Sequence, residues 1–404
     1  MQKKYSLAVL ILLTAGISVA EADQKNIPTT ITTKAGADQV AASAPVPLPV
    51  TTAQADQPMF KFGGFGTLGF SHSDLMLGDY VVDSDMPKGV GRSGAWAVSN
   101  TTRVTAHVTA DFTPKVSAIF QVDSEYRPDG SYRPEVEWLN VKYSFTPNVY
   151  VRVGRIALPT FMDSENRDVG YSYAWVNPPA DLYHQLSIPT SDGLDAVYRS
   201  EIGEVGNTLK AIFGTNTEKS PNTVTTSKEL WGIFDTIEYG PAVLHLSYQQ
   251  RRSSSQSLET GIIAPWTWNS DLSVGASYDP GDWFVISEWV QHRTTTKVDA
   301  MYVSGGYRIE KFTPYLIYGQ NSTGSILPDS PSPSAGAIER AKRAQRTMGA
   351  GVRWDFMRNY DLKIQYDQVK LSDSSNGYLI NVPTGVTLYG SKFYVISAVV
   401  DFVF

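Results

Sequence analysis

The 404-residue sequence contains no cysteine, which excludes a disulfide-bonded scaffold. Beyond Ala20 it has no apolar run long enough to cross a bilayer as a helix, which takes about 18 or more residues. A concentrated basic tail is missing too, and the formal net charge is -6, so nucleic acid is not an expected partner. The five histidines, His72, His107, His184, His245 and His292, fall in no zinc-binding spacing and beside no nucleophile elbow. No catalytic residue, metal or cofactor is therefore assigned. What the chain does have is 32 Gly, 22 Tyr, 16 Phe and 9 Trp within 42% hydrophobic residues. With a slightly negative mean hydropathy, that balance argues against a helical membrane protein.

The N-terminus reads as an export signal. Gln2-Lys3-Lys4 precede an apolar run from Tyr5 to Ala20, followed by small residues suited to cleavage after Ala20 or, the favoured position, Ala22. Residues 1–22 are thus expected to be removed. Residues 23–58, rich in Ala, Thr, Pro, Val and Gln and containing Pro45-Val46-Pro47-Leu48-Pro49, show no sustained periodicity and read as a flexible periplasmic extension.

From Met59 to Phe404 the recurring signal is alternation of apolar and polar residues over about ten positions, the pattern of a strand with one face in lipid and the other in water. Thr102, Val104, Ala106, Val108, Ala110 and Phe112 fall on one face, Arg103, Thr105, His107, Thr109 and Asp111 on the other. After Thr113-Pro114-Lys115 the pattern resumes, with Val116, Ala118, Phe120 and Val122 against Ser117, Gln121, Asp123 and Glu125. Later segments set Val151 and Val153 against Arg152, Leu194 and Ala196 against Asp195, and Leu362 and Ile364 against Lys363. In 228–238, 283–292 and 313–320 the faces are ambiguous.

Connections alternate in length. Short turns fall at 113–115, 146–148, 201–206, 238–241, 279–282, 309–313 and 356–359, several carrying Pro, Gly or Asn. Longer loops lie at 74–96, 127–134, 157–191, 217–228, 252–266, 293–296, 322–344 and 371–390. These connections predict an all-β fold: a closed antiparallel transmembrane barrel of about sixteen strands, with periplasmic turns and extracellular loops. Alternation alone would also suit a soluble sandwich. The export signal, the loop rhythm and the strand-end aromatics Phe112, Phe145, Tyr239, Tyr278, Phe312 and Phe356 favour lipid.

The final strand, Ser391 to Phe404, puts Tyr394, Ile396, Ala398, Val400, Phe402 and Phe404 on one face. It resembles the C-terminal signal that the barrel-assembly machinery reads in Gram-negative porins, with Phe402 and Phe404 as its key residues. Val153-Gly154-Arg155 leading to Pro159 resembles the porin entry into a third loop that folds into the lumen. The resemblance implies a basic wall, Arg103, Arg127, Lys142, Arg152 and Arg155 with Asp123 and Glu125, facing a loop that carries Asp163, Glu165, Arg167 and Asp168. It also implies a homotrimer among outer-membrane lipids and lipopolysaccharide, passing small hydrophilic solutes. Facing charges across such a gap orient dipoles and favour one ion sign, here anions or carboxylates. Arg155 breaks the parity of Val151 and Val153, so it sits beyond the lipid band or follows a bulge. A receptor or adhesin barrel and an outer-membrane hydrolase are the competing readings, but neither has a recognisable motif. A 22-stranded energy-coupled transporter would need a plug larger than residues 23–58.

Overall fold

The computed structural model describes residues 59–404 except Ser84, 185–187, Thr295, Thr323 and 327–342. The expected signal peptide, the extension and most of the loop expected at 322–344 lie outside the described residues. Sixteen long antiparallel strands follow one another in chain order and close into a barrel. They are β1 (Phe60–Ser73), β2 (Arg103–Thr113), β3 (Val116–Ser124), β4 (Glu135–Ser144), β5 (Val149–Ala157) and β6 (Thr190–Ile202). The second group is β7 (Val205–Lys219), β8 (Thr223–Tyr239), β9 (Ala242–Ser257), β10 (Thr267–Tyr278) and β11 (Trp283–Arg293). Completing the ring are β12 (Thr296–Tyr307), β13 (Phe312–Asn321), β14 (Gln345–Met357), β15 (Tyr360–Leu371) and β16 (Lys392–Val403).

Alternation in the sequence becomes alternation in exposure. On β7, Leu209 and Phe213 are exposed on the outer face while Lys210 and Ile212 between them are buried in the interior. Such an inside-out wall is stable only where lipid covers the outer face. The turns are stabilised locally. Thr113 Oγ1 accepts from the backbone N–H of Lys115 and Val116, and Thr146 Oγ1 accepts from Asn148 and Val149, so two Thr-Pro-X turns use one device.

Closure joins β1 to β16, from Phe65 opposite Val403 to Ser73 opposite Val395. Phe404 extends the seam by exchanging two backbone bonds with Gly64, at 2.9 and 3.0 Å. Gly64 and Gly66 are required there, because a Cβ would lie 2.4 Å from the Phe404 ring and 2.6 Å from the Phe402 ring. The two rings lie flat over the glycine gaps and stack on each other.

One predicted loop is mostly strand. The connection expected at 217–228 shrinks to 220–222, since β7 runs to Lys219 and β8 begins at Thr223. Thr225 pairs with Ser255 and Ser227 with Ser253 through their hydroxyls. These residues are polar on both faces, which hid the strand from a search for apolar alternation.

Candidate functional site

The chain leaves β5 at Ala157 and does not return to the wall until Thr190; the residues between form the third extracellular loop. Its path runs through the interior. Thr160 carbonyl accepts from Ser247 on β9, Met162 N–H donates to Glu288 on β11, and Val176 N–H donates to Gln365 on β15. Gln345 on β14 donates to Asp181 in the short helix Ala180–Tyr183.

Two wall cations clamp the middle of the loop. Arg353 donates to the carbonyls of Tyr171 and Tyr173, at 2.8 and 3.1 Å, while ion-paired with Asp355 and Asp361. Lys363, fully buried, donates to the Gly170 carbonyl at 2.6 Å and pairs with Asp401 at 2.9 Å. Gly170 lies so close to the wall that a Cβ would fall 1.9 Å from an Asp401 oxygen. Only glycine allows this approach.

Beyond the clamp the loop builds a dry core inside the barrel. Phe161, Tyr173, Trp175, Leu182 and Tyr183 pack on Val290, Ala300, Tyr302, Tyr315 and Ile317 of β11–β13. Trp175 stacks on Tyr173, meets Tyr302 edge-on and donates its indole N–H to Ser304 at 2.8 Å. Behind the loop, the cavity bordered by Asp181, Gln365 and Asp367 measures about 30 Å³. That is room for about two waters. The larger gap, about 60 Å³ between the loop and the wall, is lined by Arg103, Glu125, Arg167 and Asp168.

Both the wall and the loop bring charges of both signs to this gap. Acidic groups sit on the wall itself, near its extracellular end. Arg127 pairs with Asp123 at 2.6 Å and Glu125 at 3.2 Å. Arg167 pairs with Asp168 at 3.4 Å, and Asp123, Glu125 and Glu137 are all charge neighbours of Asp168. Burial, then Asp168 and Asp123, push the Glu125 carboxyl up to about 8.

Nearer the periplasmic turns the wall is basic. Lys142, Arg152 and Arg199 surround one ring, Tyr150, at 5.5, 6.0 and 5.6 Å. Arg152 is held by Asp195 at 2.5 Å, whereas Lys142 has no ion pair among the described residues. From the loop, Glu165 joins this group through Lys210, at 2.8 Å. Burial would raise the Glu165 carboxyl, but Lys210 and Arg152 outweigh it and hold it below the usual range.

Three expected site residues have other surroundings. Arg103 donates to the Asp168 carbonyl and the Tyr173 hydroxyl, so it holds the loop as Arg353 does. Asp163 donates its backbone N–H to the Tyr183 hydroxyl, and burial pushes its carboxyl up to about 6. Arg155 shares the outer face with Val153 and pairs with Asp192 at 2.7 Å. The β5–β6 register is unbroken there, so no bulge accounts for it.

Two wall residues escaped the sequence reading. Tyr150 stands at an inward position of β5 and could have been found by parity alone. Glu137 could not, because a bulge against β3 between Gln121 and Val122 turns it inward from what would be the lipid-facing series.

A closed sixteen-stranded barrel with an apolar outer face, long outer loops and a charged interior defines a multi-pass protein of the Gram-negative outer membrane. Residues 7–376 match the Gram-negative porin family model, and the chain belongs to that family. The fold is similar to that of OmpT, an outer membrane protein of Vibrio cholerae in trimer form, with 14% identity and TM-score 0.54 over 85% of this chain and 99% of that one. An anion-selective porin from Comamonas acidovorans gives 14% and 0.51 over 85% and 99%, respectively. The outer membrane channel DcaP of Acinetobacter baumannii gives 13% and 0.53 over 85% and 97%. At these identities the likeness concerns the fold alone. No curated protein sequence matches.

Proposed function

We propose that the protein is a passive channel for small hydrophilic solutes, with a weak preference for anions or carboxylates. The third loop fills the β9–β16 side, which directs solutes through the gap against β2–β7. Arg103, Arg127, Lys142, Arg152, Asp123, Glu125, Glu165, Arg167 and Asp168 border that route. The observation that carries the preference is the basic group around Tyr150, where Lys142, Arg152 and Arg199 converge on one ring. A cluster of like-charged groups attracts mobile ions of the opposite sign.

In this reading the barrel works as a homotrimer among outer-membrane lipids and lipopolysaccharide, and Phe402 and Phe404 present its last strand to the assembly machinery. The purified protein in a planar bilayer is expected to give stepwise conductance, with a reversal potential in asymmetric KCl of the sign set by chloride. A potassium-selective reversal potential would reject the anion preference. Absence of conductance steps would reject the channel.

A further inference from the structure

The connection between β1 and β2 does not stay above its own strands. Its root is anchored where it leaves the barrel: Leu75, Tyr80 and Val90 pack on Leu371, Leu379 and Phe393, between the end of β15 and the start of β16. Asp79, with no exposed surface, accepts from the Ser93 N–H and from Asn381, each at 2.7 Å, and its backbone exchanges two bonds with Ile380. The tip reaches across the mouth to the β7–β8 turn, where Ser220 donates to Asp85 at 2.6 Å. A chord from β1 to that turn passes above β2–β7, the sector that holds the gap between the third loop and the wall. Val82, Asp83 and Met86 roof this gap. Like charges crowd the tip. Asp83 on the same connection and Glu218 on β7 both act on Asp85, and the facing cation, Arg167 of the third loop, lies 4.0 Å from Asp83. His184 stands beside Asp83, kept neutral by burial down to about pH 4, and Lys219 lies on the opposite, exposed face of β7. Burial, then Asp83, push the Asp85 carboxyl up to about 7.

We propose that the β1–β2 connection is a hinged lid on the solute route, fixed at its root by Asp79 and latched at its tip by the hydrogen bond between Asp85 and Ser220, so that release of the latch opens the gap. This gate rests on the channel reading and adds a closed state to it. Swung into water, Asp85 returns to the ordinary carboxylate range near 4. Closing therefore takes up a proton between about pH 4 and 7. The closed lid is favoured in acid and loses that advantage as the pH rises through about 7, where a charged Asp85 faces Asp83 and Glu218. The apolar root keeps its packing throughout, so the motion is confined to the tip.

The test is single-channel recording with the latch tied shut. Because the sequence has no cysteine, two thiols can be placed at the latch without background reaction. In a variant carrying Asp85→Cys and Ser220→Cys, a short bis-methanethiosulfonate cross-linker is expected to lower conductance about threefold or more, and dithiothreitol to restore it. Neither single-cysteine variant should lose conductance on the same treatment. In the native protein, conductance should rise about twofold between about pH 5 and 7. Asp85→Asn, which keeps an acceptor for Ser220, should hold the lower value at both. Thiols that fail to link, as read by mass, or a linked channel that conducts as before would overturn the lid while leaving the channel reading intact. An Asp85→Asn channel with the native pH response would overturn Asp85 as its latch. Absence of conductance at either pH, in the native protein and in the unlinked double variant, would overturn the channel reading and the lid together.

Discussion

Lys363 carries a cation into a wall position with no exposed surface, between Asp361 and Asp401 and against the Tyr173 ring. Its inward position was legible from the Leu362 and Ile364 alternation, but its partner was not. A lysine facing water and a lysine clamping a loop carbonyl have the same local sequence. The same holds for Arg353 and Arg103, which parity assigns to the lumen and which spend their hydrogen bonds on the third loop. Removing the Lys363 charge leaves the buried Asp401 without its ion-pair partner, while Asp361 keeps Arg353. Lys363→Met is expected to destabilise the barrel by about 3–5 kcal/mol, the usual cost of an unpaired buried charge. The loss should appear as a lower temperature for the heat-induced gel-mobility shift of the folded barrel; an unchanged temperature would show that the lysine is dispensable.

At the scale of elements, the third loop explains which strands could be read. Strands β2 to β5 border the wet gap, so their inner faces are polar and the alternation is clear. In β8, β11 and β13 the inner faces carry Leu230 and Phe234, Val290, and Tyr315 and Ile317. These residues meet the loop or its roots, and a strand apolar on both faces has no alternation to detect. The ambiguous segments therefore marked where the loop docks. Trp175 is the centre of that contact, only 2% exposed. Trp175→Ala is expected to weaken docking by about 3–5 kcal/mol, without opening the barrel wall. Single-channel records should then show larger and noisier conductance; an unaltered trace would mean that other contacts suffice to hold the loop.

For the whole molecule, the buried carboxyl of Glu125 links selectivity to pH. Glu125 keeps its proton up to about pH 8, because burial and the nearby Asp168 and Asp123 disfavour its charged form. Raising the pH through that value adds a negative charge at the extracellular mouth. Anion preference should therefore fall between about pH 7 and 9, and Glu125→Gln should flatten the change. Reversal potentials measured across that range check it, and a rise in anion preference with pH would contradict the assignment. The barrel class, strand number and orientation were legible because they depend on period and turn spacing. The inward turn of Glu137 was not, since it depends on a bulge in the pairing of β3 with β4.

The seam between β1 and β16 has a consequence for how the molecule forms. Neighbouring hairpins can pair as soon as their two strands exist, but Gly64 and Phe404 come from opposite ends of the described chain. Joining them costs about 5 kcal/mol of loop-closure entropy, and until they meet the sheet has two unpaired edges in a medium that offers no hydrogen bonds. The interior contacts of Gly170 with Thr67 and Asp401 straddle this same junction, so the loop acts as an internal gauge of closure: it has a complete seat only when the first and last strands are side by side.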